Sequence, residues 1–141
     1  MSRGRSRALA SILVVTPLGL YTKFYDGIGA EWVNSSLGGV FYEIFWCLVV
    51  FIAFDAAGPA IVAGFVFLAT SFLEVLQLWH PPVLEWVRST FLGAAMFGTS
   101  FDAWDFLYYS IGCGIGWGWL ALLRRGAGAG GDFELEKGTP K

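Results

Sequence analysis

Residues 61–79 carry one ionisable side chain, Glu74, in a stretch otherwise apolar enough, and long enough as a helix, to cross a hydrocarbon layer of ~30 Å. A charged side chain inside such a helix costs about 2.5–3.5 kcal/mol on insertion scales, so the fold has to supply Glu74 with partners. That requirement points to a bundle of helices that turns Glu74 toward its own neighbours. Composition agrees: the 141 residues are 56% hydrophobic and 14% charged, against roughly 45–50% and 25% in soluble domains. The expected fold class is all-α, a polytopic membrane protein.

Four apolar runs can be traced. The first, residues 8–21, reaches a workable length through Lys23, whose stem can snorkel, and Tyr25, with Pro17 as a kink. Its basic start also resembles a secretory leader cleaved after Ala30, but Ile28 is not the small residue such a site uses, and the run reads as a retained helix. Gly27, Gly29 and Asn34 mark residues 26–36 as a loop. The second run, 37–54, has Glu43 as its single charge, and a tight turn at 55–59 makes the third run, 60–79, its antiparallel neighbour.

His80-Pro81-Pro82 stops the third helix. Val83, Val87 and Phe91 then alternate with Glu85, Arg88 and Ser89 at helical spacing, over a length that suits an interfacial helix and not a span. Residues 93–99 read as a glycine-bounded connection, and the fourth run starts at Asp102 or Asp105 and ends near Leu123. The expectation is a four-transmembrane-helix bundle over residues 1–125, with a short interfacial helix between helices 3 and 4. The glycine-rich, mixed-charge residues 126–141 suggest a disordered cytoplasmic tail.

Arg3, Arg5, Arg7, Arg124 and Arg125 gather on one side of the spans, against Lys23 and Arg88 on the other, which places both termini in the cytoplasm. This charge pattern reports orientation and gives no nucleic-acid partner. With that topology Glu43, Glu74, Gln77, Arg88, Asp102, Asp105 and Tyr109 fall in one layer of the outer leaflet, forming a candidate polar pocket. Each also has a plain structural role. Asp102 can cap the fourth helix, Asp105 can favour its dipole, Glu85 can pair with Arg88, and the two intramembrane glutamates can bond to neighbouring helices.

Gly112 and Gly116, within an alternating glycine series, let another helix approach closely and are read as packing positions, with self-association or a protein partner as a use for that face. Cys47 and Cys113 lie inside apolar runs, as buried thiols do. No nucleophile sits in a hydrolase motif, and no phosphate loop or dinucleotide fingerprint occurs, so no catalytic residue and no cofactor is assigned. His80, Glu74, Asp102 and Asp105 could ligate a hard cation, but their spacing carries no metal signature, and no metal is assigned.

Glu74-Val75-Leu76-Gln77-Leu78-Trp79, Val87-Arg88-Ser89-Thr90, Gly98-Thr99 and residues 105–112, with Leu18-Gly19-Leu20-Tyr21 and Gly38-Gly39-Val40-Phe41-Tyr42-Glu43 earlier, resemble a family of small bacterial four-helix inner-membrane proteins of unassigned function. The second half also resembles the VanZ-like family. Its pattern of Glu-x-x-Gln, a downstream Arg, Asp-x-x-Asp and Asn-x-x-Gly is matched by Glu74, Gln77, Arg88, Asp102, Asp105 and Gly112, while Tyr109 stands where that family has asparagine. VanZ proteins are linked to glycopeptide resistance, and the resemblance implies a shared polar site and not a reaction.

The reading is a bacterial inner-membrane protein whose outer pocket binds an envelope lipid or lipid-linked head group, with Arg88 holding a phosphate. A non-catalytic subunit of a larger membrane complex is the alternative, and a membrane-embedded enzyme using Glu74 or Asp105 as base is the third.

Overall fold

The structure, a computed structural model, describes residues 2–137, with side chains as far as residue 128. Six helices make up the fold: α1 (Arg3–Phe24), α2 (Ala30–Ala53), α3 (Pro59–Leu76), α4 (Pro82–Arg88), α5 (Phe91–Phe97) and α6 (Asp105–Lys137). No strand occurs among the described residues.

The second helix is the centre of the bundle, packed by α1, α3 and α6. Its Val40, Ile44, Cys47, Leu48 and Phe51 recur at i, i+3 and i+4 spacing and are all buried. Ala8 and Val15 of α1, Val62, Ala63 and Val66 of α3, and Cys113 and Leu120 of α6 complete that core. Ile61, Phe65, Leu68, Phe72 and Val75 recur on the opposite, exposed face of α3. A helix apolar on both faces suits a lipid surround, where no water face is needed.

Three helices, Ala30–Ala53, Pro59–Leu76 and Asp105–Gly128, are long and apolar enough to cross a membrane, one fewer than expected. The first helix has 22 residues, but Arg7 and Lys23 bracket its apolar stretch. Residues 8–22 span only about 22 Å at ~1.5 Å per residue.

Other boundaries also differ from the sequence reading. Helix begins at Ala30, inside the expected loop, and passes through a π-helical turn at Val33–Leu37 that absorbs the register of the polar Asn34-Ser35-Ser36 segment. Thr90 caps α5 by accepting from the Gly93 amide at 3.0 Å, so residues 93–97 are helical where a loop was expected. The third helix ends at Leu76, and its last turn tightens into i→i+3 bonds up to Trp79 because the prolines that follow cannot continue it. From Gly126 the helix α6 continues to Lys137. Residues 138–141 lie outside the described residues.

Gly112 and Gly116 of α6 are closed against α2. A Cβ on Gly112 would fall 2.6 Å from the Glu43 Cβ and 2.9 Å from the Val40 carbonyl oxygen, and one on Gly116 would fall 2.9 Å from the Cys47 Sγ. Those two positions therefore pack within the chain. At the opposite end, Arg124 donates to the Asp55 carbonyl at 2.6 Å and to the Ala57 carbonyl at 2.5 Å, fastening the α2–α3 turn.

Candidate functional site

The end of α1, the start of α2, the end of α3 and the start of α6 meet at one end of the bundle. They enclose a cleft of ≈ 260 Å³ roofed by the segment from Ala94 to Ser100. Glu74 organises its floor. The side chain is fully buried, and its two oxygens accept three hydrogen bonds. Gln77 Nε2 donates at 2.7 Å and the Tyr109 hydroxyl at 3.0 Å, both to Oε2, while the Asp102 backbone N–H donates to Oε1 at 2.8 Å. The i, i+3 spacing on α3 brings Gln77 over Glu74, and Tyr109 reaches across from the second turn of α6. Three donors and, among the described residues, no cation thus hold the carboxylate that the sequence makes expensive.

Gln77 lines the cleft and is 5% exposed, and with its amide nitrogen committed to Glu74 its buried Oε1 has no hydrogen-bond partner among the described residues. Gly98 presses on this amide. Its φ of +67° suits glycine alone, and a Cβ there would lie 2.7 Å from Gln77 Oε1. Asp105 lines the same cleft, half-buried, within electrostatic reach of Glu74, Asp102 and Lys23, and its carboxylate accepts no hydrogen bond among the described residues.

Lys23 supplies the cleft's positive charge. Its ammonium donates to the Asn34 carbonyl at 3.1 Å and has two further N–H groups. Tyr42 donates to the Met96 carbonyl at 2.9 Å, which ties the roof to α2. Neither residue was assigned to the pocket from sequence. Lys23 lies 51 positions from Glu74, and the available signal was its place at the outer end of the first run.

Of the expected pocket, Gln77, Asp105 and Tyr109 line one space, and Glu74 is buried behind it as the acceptor of Gln77 and Tyr109. Glu43 does not line it. That side chain is fully buried about a turn deeper on α2, accepting from the Cys113 thiol at 3.0 Å, with Oε1 unpartnered. Asp102 contributes its backbone, while its carboxylate turns outward to accept from the Trp104 amide at 2.9 Å.

Arg88 lies outside the cleft altogether. Its guanidinium, 4% exposed, donates to the Trp79 carbonyl at 3.1 Å, to Glu85 Oε1 at 3.0 Å and to the Leu76 carbonyl at 3.1 Å. It caps the carbonyl end of α3, where the proline stop leaves acceptors without partners. Replacing Arg88 with methionine should therefore cost about 1–3 kcal/mol through the lost charged bonds. A cycle with Glu74→Gln should show no coupling, which thermal unfolding in detergent would read as additive shifts.

His80 is exposed and pairs through Nδ1 with Glu85 Oε1 at 2.8 Å, away from the cleft. Bonds from His80 and then Arg88 hold the Glu85 carboxyl below its usual value. A depressed pKa stabilises the fold above the unfolded value of ~4.3 and loses that contribution as pH falls through the folded value. Unfolding temperatures of wild type and Glu85→Gln should accordingly differ at neutral pH and converge in acid.

The model for a family described as a protein of unknown function, DUF2809, matches residues 28–113. No curated protein and no solved structure matches the chain. The matched segment contains α2 to α5, the first turns of α6, and every cleft residue named above except Lys23.

Proposed function

The chain belongs to the DUF2809 family, and with no activity attached to that family we propose that this protein binds the head group of an envelope lipid in the cleft above Glu74. One observation carries the reading: the polar cleft lies against an apolar groove and shares a wall with it. Tyr42, Thr70, Leu73, Met96 and Phe97 line both spaces, and the groove continues as ≈ 260 Å³ along Trp46, Val50, Phe65 and Val66. A polar chamber beside an apolar groove matches an amphiphile, with Gln77 Oε1 and Asp105 as acceptors for the head group and the α2–α3 groove as the seat of one chain.

The likeness of Glu74-x-x-Gln77, Asp102-x-x-Asp105 and Arg88 to the VanZ pattern supports a polar site built on these positions, with Arg88 now cast as a structural cap. In this reading α1 lies with the three apolar helices as a fourth membrane element, snorkelling Arg7 and Lys23. The membrane is a bacterial inner membrane, the cleft faces outward, and both termini are cytoplasmic.

Native mass spectrometry of the full chain from mild detergent tests this. The expected result is a bound lipid that is lost in an Asp105→Leu, Gln77→Leu variant that still unfolds in one cooperative transition, at a temperature lowered by the loss of the Gln77–Glu74 bond. A lipid-free protein, or a variant that keeps the lipid, contradicts it.

The accessory-subunit reading is favoured by a different feature. Gly64 of α3 and Gly114 of α6 face open space beside Ala60 and Ala63, a shallow groove of small residues on the outside of the bundle. A protein partner of stoichiometric mass in the same spectra would support that reading.

A further inference from the structure

We propose that the cleft selects a zwitterionic aminophospholipid, taking its primary ammonium between Asp105 and Gln77 Oε1 and its phosphate at Lys23. This rests on the reading of the cleft as a head-group site and names the chemistry it accepts.

Charge decides the class. Asp105 is a half-buried carboxylate with no hydrogen bond among the described residues, and Gln77 Oε1 is a buried acceptor held without a donor by the commitment of its own nitrogen to Glu74. Two acceptors without a protein donor in one cleft call for a group with several N–H donors, and a primary ammonium offers three. A choline head group carries the same charge with no N–H, and would leave both acceptors unpaired in a partly desolvated space.

The opposite requirement comes from Lys23, which lines the same cleft and has N–H groups left after its bond to the Asn34 carbonyl. It matches one phosphodiester charge. Lipid-linked sugars carried on a pyrophosphate bring at least two, and the second cation that would meet them, Arg88, is spent on the Leu76 and Trp79 carbonyls and on Glu85. A purely anionic head group would in turn set its charge against Asp105 with nothing for that carboxylate to bind. One acid and one base facing a common space therefore describe a zwitterion better than an anion, a pyrophosphate or a neutral sugar.

Titrating the detergent-solubilised full chain with palmitoyl lysolipids of three head groups, ethanolamine, choline and glycerol, each on a phosphodiester, reads this directly by native mass spectrometry. The expected result is binding of the ethanolamine lipid at least about tenfold tighter than either other lipid, the difference that about 1.4 kcal/mol supplies. Asp105→Asn should collapse that preference to parity, and Lys23→Met should weaken all three, since all share the phosphate. Equal affinity for the three lipids, with all of it lost in the Asp105→Leu, Gln77→Leu variant, would overturn the selectivity while leaving the head-group site standing. An unaltered preference in Asp105→Asn would also overturn it. Binding of none of the three would remove both the selectivity and the site.

Discussion

Replacing Glu74 with leucine should lower the stability of the folded chain by about 3 kcal/mol, because three donors lose their common acceptor at once. The Tyr109 hydroxyl, the Gln77 amide and the Asp102 N–H are aimed at a fully buried carboxylate. Each donor left unpaired in a site of low dielectric costs about 1–3 kcal/mol, the lower figure being apt where a cleft admits water. Apolar transfer of the leucine offsets part of this. Glu74→Gln keeps one acceptor oxygen and should cost about half as much. Urea or thermal unfolding in detergent checks the order, and a leucine variant as stable as wild type would mean that the three bonds do not hold the roof and the start of α6 in place.

Gly112→Leu should be comparably damaging for a steric reason. Its first side-chain atom would already lie 2.6 Å from the Glu43 Cβ and 2.9 Å from a backbone oxygen, so α6 must move off α2. Overpacking of that kind costs about 1–3 kcal/mol for a few extra methylenes, and here the displacement also strips the Cys113 thiol from Glu43. Gly114, two residues away, meets nothing within 4 Å. Gly114→Ala should therefore be neutral or stabilising by up to about 1 kcal/mol, since alanine favours helix. Opposite signs at neighbouring glycines would show in paired unfolding temperatures; equal losses would mean that α6 is rotated from its described seat.

Helix content and order were legible because hydrophobic runs and proline stops act locally. The chain between 80 and 100 was harder, since a seven-residue helix capped by Thr90 differs from a glycine loop only by one side-chain bond. The first run does not stand with the three long apolar helices for the same local reason: Arg7 and Lys23 shorten its apolar stretch more than its residue count suggests.

At the cleft, Glu74 and Gln77 were readable because their spacing places them on one helical face. Asp102 meets Glu74 through its backbone N–H and not its carboxylate, and a backbone N–H leaves no trace in residue identity. Arg88 was drawn to the acidic layer by counting charges, a method blind to the carbonyls at the end of α3 that claim its guanidinium. Lys23 was missed as a site residue because the fold alone brings it beside Asp105.

A photoreactive side chain placed at Thr99, on the cleft roof, and in a second protein at Ile115, on the exposed face of α6, gives the most direct test that the cleft is a lipid site. With the chain in native membranes, the account predicts a lipid adduct of one dominant mass from Thr99, suppressed by Asp105→Asn, and a mixture following bulk composition from Ile115. The same mixed adducts from both positions, insensitive to Asp105, would contradict it.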